Sequence, residues 1–151
     1  MFAHPRCPCT RASIGELAQI MAQAAGGLSA HVVFLKPEDA GADWQDTELQ
    51  RSAAEIPGVS VSSDVAGVEG ERFGAKTSGH TFLFAADGRL LFDGGITASR
   101  GHAGDNVGHN SIAALLNRDA AERTRTRVFG CSLVSAQAIT TAARRAQEVG
   151  K

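Results

Sequence analysis

The amino-acid sequence predicts an α/β fold with one central mixed sheet, parallel strands plus an antiparallel hairpin, and helices on both faces. The chain has 151 residues, an ordinary length for one domain. Apolar runs suited to strands alternate with segments of helical periodicity, as expected where helices connect parallel strands. Two later apolar runs flank the pair Asp87-Gly88, which predicts an antiparallel hairpin.

The first half of the chain is predicted to alternate strands with helices. Residues 1–4 have the apolar pattern of the end of a buried strand, and residues 13–25 carry a helical stripe that stops at a glycine pair. Residues 31–35 form a continuous apolar run, typical of a strand buried on both faces. Residues 43–56 place apolar side chains near one helical face before a Pro-Gly pair, and residues 59–62 alternate as a short strand.

The second half is predicted to contain the hairpin, three helices and two loops. In order these are a short helix (68–73), the hairpin strands (81–85 and 90–93), a glycine-rich loop (94–108), a helix (111–116), a loop (117–133) and an alanine-rich helix (134–149). We expect one domain over residues 1–133, with its first strand truncated, followed by a C-terminal helical tail over residues 134–151.

The composition excludes several classes of function. Lys and Arg number 15 against 16 Asp and Glu, so the formal net charge is -1 and no basic surface for nucleic acid is expected. No apolar run approaches the ~20 residues that span a bilayer, and no secretory signal is recognisable. A chain of this length buries a sufficient core without cross-links, so its three cysteines are not the framework of a disulfide-rich miniprotein.

The segment Cys7-Pro8-Cys9-Thr10 is the candidate active centre, because it stands where the first helix begins. A thiol at a helix N-terminus meets unpaired backbone N–H groups and the positive end of the helix dipole, which favour the thiolate. Proline suits the first helical position, and the Thr10 hydroxyl can donate a hydrogen bond to a thiolate. The alternative is that these are buried, inert cysteines, the usual state of free cysteine.

A strand ending in phenylalanine, a cysteine-containing turn and a helix together resemble the thioredoxin superfamily. Phe73-Gly74-Ala75 followed by the hairpin of residues 81–90 resembles its redoxin branch, and the whole is similar to the RedB-like redoxins. The resemblance implies a thioredoxin-like fold, thiol redox activity and an extracytoplasmic or membrane-anchored location. It also implies that Cys7 is the first cysteine of the family's Cys-x-x-Cys, with Thr10 in the place of the second, and that His80 replaces the family's cis-proline.

These observations lead us to expect a thiol redox protein that needs no cofactor and exchanges disulfides with a protein partner. In this hypothesis Cys7 attacks a substrate disulfide, and either Cys9 or Cys131 resolves the mixed disulfide. Cys131 is equally compatible with a lone buried cysteine. A chain without activity that serves only as an interaction module is a further alternative.

Metal binding is the second functional hypothesis. An imidazole at position 80 would face the cysteines, so Cys7, Cys9 and His80, with Cys131 as a further ligand, would suit Zn²⁺ or Cu(I). The copper-handling Sco-like proteins resemble this arrangement. The loop that carries Arg100, His102 and Asp105 offers charged groups at turn spacing, but we interpret it as solvated.

Overall fold

The computed structural model describes residues 1–44 and 46–133 and has an α/β architecture. A parallel sheet has the order β1-β2-β3, and β4 pairs with β5 in a separate antiparallel ladder. The strands are β1 (Phe2–Ala3), β2 (Ala30–Lys36), β3 (Val59–Val65), β4 (Thr81–Phe84) and β5 (Leu90–Gly94). The helices are α1 (Thr10–Gln23), α2 (Glu48–Ala54), α3 (Val68–Phe73) and α4 (Val107–Leu116). The helical tail predicted at residues 134–151 lies outside the described residues.

Strand β2 is the centre of the parallel sheet, as its uninterrupted apolar run predicted. It pairs with β1 through Phe2 and Val33 and with β3 along its whole length. Val32 and Phe34, which lie on one face of β2, have no exposed surface, and Leu35 on the other face is only 6% exposed, so both faces are covered. Apolar residues of the two ladders and of α1, α2 and α4 share one core, whose members include Leu17, Ile20, Phe34, Leu49, Phe92 and Ile112.

The parallel sheet and the hairpin meet at one backbone bridge rather than in one continuous sheet. The N–H of Phe2 donates to the carbonyl of His80, and the N–H of Gly79 donates to the carbonyl of Phe2, each over 2.8 Å. Strand β1 contains only two residues, so it cannot extend a ladder along β4. The single mixed sheet expected from the sequence is therefore replaced by two ladders joined at this bridge.

The antiparallel hairpin is confirmed, but its turn is not of the predicted type. Thr81 pairs with Gly94, and the Gly88 N–H donates to the carbonyl of Ala85. Of the two turn residues, only Gly88 has a positive φ, at 84°. The connection is thus a three-residue loop with a glycine bulge, whereas a two-residue turn would place both Asp87 and Gly88 at positive φ.

Two helices begin at positions that differ from the predicted ones. Helix α2 starts after Thr47, whose hydroxyl accepts a hydrogen bond from the Gln50 N–H, and so is shorter than the predicted 43–56. Helix α4 starts earlier than predicted, after Asn106, whose side chain accepts from the His109 N–H. The prediction failed because Gly108 reads as a loop residue. A Cβ at that position would collide with the carbonyl of Gly95, which explains a glycine inside the helix.

Residues 122–133, here called the C-terminal arm, run along the hairpin and back to the start of α1. The Asp93 N–H donates to the carbonyl of Thr124 over 2.9 Å, and the Ser78 N–H donates to the carbonyl of Cys131 over 2.8 Å. A side chain at Gly130 would collide with the carbonyl of Ser78. The arm therefore packs backbone against backbone, and it brings the last cysteine to the first.

In the described part of the chain, no helix combines the length and the apolar character needed to cross a bilayer.

Candidate functional site

Cys7 lies in a pair of turns between β1 and α1. Its N–H donates to the carbonyl of His4 over 3.2 Å, and its carbonyl accepts from the Thr10 N–H over 3.0 Å. Cys9 is the residue that precedes α1, and its side chain makes no capping hydrogen bond. Cys7 is completely buried, whereas Cys9 is half-buried. The turn thus holds one thiol inside the protein and the other near its surface.

Cys131 lies directly against Cys7. The backbone N–H of Cys131 donates to the sulfur of Cys7 over 3.3 Å, and the Cys131 thiol donates to the same sulfur. The structure therefore places Cys131 at the thiol centre, rather than leaving it as a lone buried cysteine. All three cysteines are in the free thiol form.

The environment of Cys7 favours its thiolate. Burial alone would raise the pKa of Cys7, because a charged sulfur loses its hydration there. Hydrogen bonds from the thiol and N–H of Cys131, from the Thr10 hydroxyl and from the Cys9 N–H outweigh that effect. Together they lower the pKa of Cys7 to about 7. A buried cysteine with this set of donors is poised for thiolate chemistry near neutral pH.

The other two cysteines hold their protons more strongly. The hydrogen bond to Cys7, followed by burial and the negative charge of Cys7, raises the pKa of Cys131 to about 11. Burial, followed by the charge of Cys7, raises the pKa of Cys9. Arg100 opposes both effects, since its positive charge lies near both thiols. One thiolate and two thiols is therefore the favoured state of the reduced site near neutral pH.

A chain of hydroxyl groups connects the thiol turn to the loop before β4. The His4 N–H donates to the Ser78 hydroxyl over 2.8 Å, and the hydroxyls of Ser78 and Thr10 are 2.7 Å apart. Because the oxygen of Ser78 already accepts from His4, its own hydrogen can go to Thr10. The hydrogen of Thr10 then has two acceptors within reach, the carbonyl of His4 at 3.4 Å and the sulfur of Cys7. Ser78 was not among the residues singled out from the sequence, where a serine in a loop gives no distinctive signal.

His80 does not face the thiol turn, contrary to the expectation from the sequence. Its Nε2 lies 2.6 Å from a carboxylate oxygen of Asp93, and its ring stacks on Phe82 with centroids 4.4 Å apart. The loop meets the turn through Ser78 instead, so the expectation that His80 would face the cysteines was wrong. Within residues 1–44 and 46–133, no three His, Cys, Asp or Glu side chains are grouped as metal ligands.

The glycine-rich loop is attached to the site through Arg100. The guanidinium of Arg100 donates to the carbonyl of Gly130, next to Cys131 in the C-terminal arm. His102 instead hydrogen-bonds within the loop, to the carbonyl of Arg100. The interpretation of this loop as merely solvated therefore needs correction for Arg100, whose charge and contact belong to the thiol centre.

A buried carboxylate anchors the same loop to α1. Glu16 is 1% exposed, and its two oxygens accept from the Gly104 N–H over 2.6 Å and contact His109 Nδ1 at 2.7 Å. The sequence analysis assigned no role to Glu16 or His109. A signal was present, because Glu16 interrupts the apolar stripe of α1 between Ile14 and Leu17. These contacts hold the loop, and with it Arg100, against the helix that begins at the thiols.

An aromatic and basic patch lies beside the turn. The guanidinium of Arg6 lies 4.1 Å from the ring centroid of Trp44, and the His4 ring meets the same indole edge-on. Burial, followed by the charge of Arg6, lowers the pKa of His4. The neutral imidazole is consistent with its Nδ1 accepting the Arg6 N–H over 3.1 Å.

A cavity of about 490 Å³ lies elsewhere, between the parallel sheet and the hairpin. Its walls are largely apolar and include Leu17, Phe73 and Phe82. None of the three cysteines lines it, so the cavity is separate from the thiol centre.

Comparisons with known proteins support the architecture and leave the activity open. No known family profile matches the chain. The curated proteins contain no sequence that matches it either. A crystal structure of an uncharacterized conserved protein from Geobacillus kaustophilus is similar over 88% of this chain and 74% of that one, with a TM-score of 0.65 and 17% identity. At this identity the likeness concerns the fold alone.

Proposed function

We propose that this protein is a thiol–disulfide exchange protein in which Cys7 and Cys131 form the working pair. The observation that carries the proposal is the convergence of the Cys131 N–H and thiol on the Cys7 sulfur. This contact supplies the two requirements of exchange, a stabilised thiolate and a second thiol within reach. We expect the partner to be a protein thiol or disulfide, and no cofactor is needed for the chemistry.

A thioredoxin-like architecture is part of the proposal. The thiol turn follows a parallel strand and opens a helix, and the hairpin follows later in the chain with its first strand bridged to β1. This order agrees with the resemblance to redoxins in the sequence. The position of the bridge at His80 also explains how the Ser78 loop comes to lie against the thiol turn.

The site differs from that of an inert structural cysteine. A cysteine buried only among apolar groups would have a raised pKa, because nothing compensates the lost hydration of its thiolate. Cys7 receives donors from three segments of the chain, namely the turn, α1 and the C-terminal arm. Thiol chemistry is therefore favoured over a role as an interaction module without activity.

The experiment that tests the function combines oxidation with a direct titration. Reduced protein is treated with diamide, and the disulfides are mapped by mass spectrometry after alkylation of the remaining thiols. We expect a Cys7–Cys131 disulfide as the main product. The ultraviolet absorbance of the thiolate, followed against pH in reduced protein, should show one group titrating at about 7.

The matched variants are Cys7→Ser, which should lose the group titrating near neutral pH, and Cys9→Ser, which should keep it. Failure of Cys7 and Cys131 to form a disulfide would contradict the proposed pair. Retention of the near-neutral thiolate in Cys7→Ser would contradict the assignment of Cys7. Among residues 1–44 and 46–133 no contact favours the metal hypothesis, since the side chain of His80 contacts Asp93 and Phe82.

A further inference from the structure

The two sulfurs of the proposed pair are not equally accessible. Cys7 has no exposed surface, whereas Cys131 is partly exposed and is followed by the exposed residue Ser132. Thr10, whose hydroxyl is among the donors to Cys7, is itself only 1% exposed. An external molecule can therefore reach Cys131 but not Cys7.

This difference matters because thiol–disulfide exchange depends on which sulfur is attacked and on access to it. The incoming thiolate, the attacked sulfur and the departing sulfur lie nearly in line. In a Cys7–Cys131 disulfide, attack on Cys7 would have to come from the side opposite Cys131, through the protein interior. Attack on Cys131 comes from the side opposite Cys7 and meets a residue that is partly exposed.

From this geometry, and resting on the proposed function, we propose that a partner thiolate attacks Cys131 of the Cys7–Cys131 disulfide and expels Cys7. The mixed disulfide then joins the partner to Cys131. Cys7, the cysteine of the recognisable motif, is the leaving group and stays inside the protein.

The reaction balances in two steps. In the first, the partner thiolate forms a bond to the sulfur of Cys131, the Cys131–Cys7 bond breaks, and its electron pair leaves on Cys7 as a thiolate. In the second, another thiolate of the same partner attacks the partner sulfur, and Cys131 departs and takes up a proton. The partner loses two electrons and two protons. One proton is held by Cys131, and the other goes to solvent.

The protein disulfide is regenerated along the same path in reverse by a disulfide donor of higher reduction potential. The acidities of the two thiols agree with the expulsion of Cys7. A thiol of low pKa is the better leaving group, and the pKa of Cys7 is about 7 against about 11 for Cys131. Stabilisation of the Cys7 thiolate also stabilises the reduced protein, which makes its disulfide more oxidising.

The test identifies the sulfur that carries the mixed disulfide. Cys9→Ser protein is oxidised with diamide, freed of reagent, exposed briefly to glutathione, quenched with acid and alkylated with N-ethylmaleimide. Peptide mass spectrometry then measures glutathione on each cysteine. We expect at least tenfold more glutathione on Cys131 than on Cys7, with the alkyl label on Cys7. Cys9→Ala serves as the second variant, because position 9 makes no capping bond that folding requires.

The outcomes separate this inference from the proposed function. Glutathione found mainly on Cys7 would overturn the inference while leaving the Cys7–Cys131 pair intact. Absence of the Cys7–Cys131 disulfide after oxidation would overturn both.

Discussion

The backbone N–H of Cys131 donates a hydrogen bond to the sulfur of Cys7 over 3.3 Å and so joins two residues 124 positions apart in the chain. A backbone donor cannot be removed by exchanging a side chain. This part of the stabilisation of the Cys7 thiolate therefore depends on where the backbone of the C-terminal arm lies. The thiol of Cys131 adds a second donor. The two contributions can be separated by substitution at position 131.

Replacing the Cys131 side chain should weaken the acidity of Cys7 without abolishing it. Cys131→Ala removes the thiol donor and keeps the N–H, so we expect the pKa of Cys7 to rise from about 7 toward the ordinary value for cysteine. Cys131→Ser retains a hydroxyl donor and should give a smaller rise. Thiolate absorbance against pH measures both. A pKa equal in Cys131→Ala and the native protein would contradict the role of this thiol.

The stability of the reduced protein should depend on pH with a sign set by Cys7. The folded pKa is about 7, below the ~8.5 of an unperturbed cysteine. The folded state therefore loses the proton first. The free energy of unfolding rises between about pH 7 and ~8.5, and this contribution is lost as the pH falls through the folded pKa.

Cys131 has the opposite effect at higher pH. Its pKa is raised to about 11, so the unfolded chain ionises first and stability falls as the pH rises from ~8.5. Urea unfolding at a series of pH values in the presence of reductant should therefore show a maximum. The control is Cys7→Ser, in which the rise below the maximum should disappear. A rise of equal size in that variant would show that other groups cause it.

His80 should contribute to stability and not to metal binding. His80→Ala removes the hydrogen bond to Asp93 and the stacking on Phe82, with an expected loss of about 1–2 kcal/mol in the free energy of unfolding. The affinity of the reduced protein for Zn²⁺ and Cu(I) should not change. A tenfold loss of affinity, comparable to the effect of removing a group that supports a ligand, would revive the metal hypothesis.

Gly130 should be intolerant of a side chain. The Cβ of Gly130→Ala would collide with the carbonyl of Ser78, so the arm must move away from the thiol turn. We expect a loss of about 1–3 kcal/mol in the free energy of unfolding and a raised pKa for Cys7. Gly15→Ala is the matched control, because no atom within 4 Å meets its added Cβ in α1. It should stabilise by about 0.5–1 kcal/mol. Equal stability of the two variants would contradict the close packing of the arm.

The parts of the fold that were predictable are those with strong local patterns. The apolar run of β2 and the hairpin pair around Gly88 specify their structure from a few neighbouring residues. The start of α4 was not predictable, because Gly108 is explained only by the distant carbonyl of Gly95. A glycine that is required because another backbone segment of the protein passes close to it cannot be distinguished from a loop glycine in the sequence alone.

The residues of the candidate site also fall into two groups, those with a local sequence signal and those placed by long-range packing. Cys7 and Cys9 are evident from their place before a helix. The contact of Cys7 with Cys131, and the roles of Ser78 and Glu16, depend on long-range packing that the sequence pattern does not encode. His80 was misplaced because the loop before β4 contacts the thiol turn through Ser78, whereas the side chain of His80 contacts Asp93 and Phe82.

The distance between Cys7 and Cys131 along the chain also has a consequence for how the protein is made. Cys131 is synthesised 122 residues after Cys9, which at ~5–20 residues per second means roughly 6–24 s later. During that interval Cys7 and Cys9 can pair with one another but not with Cys131. The acidity of Cys7 is complete only after the arm has docked, so a titration near neutral pH would report that the last part of the described chain has folded.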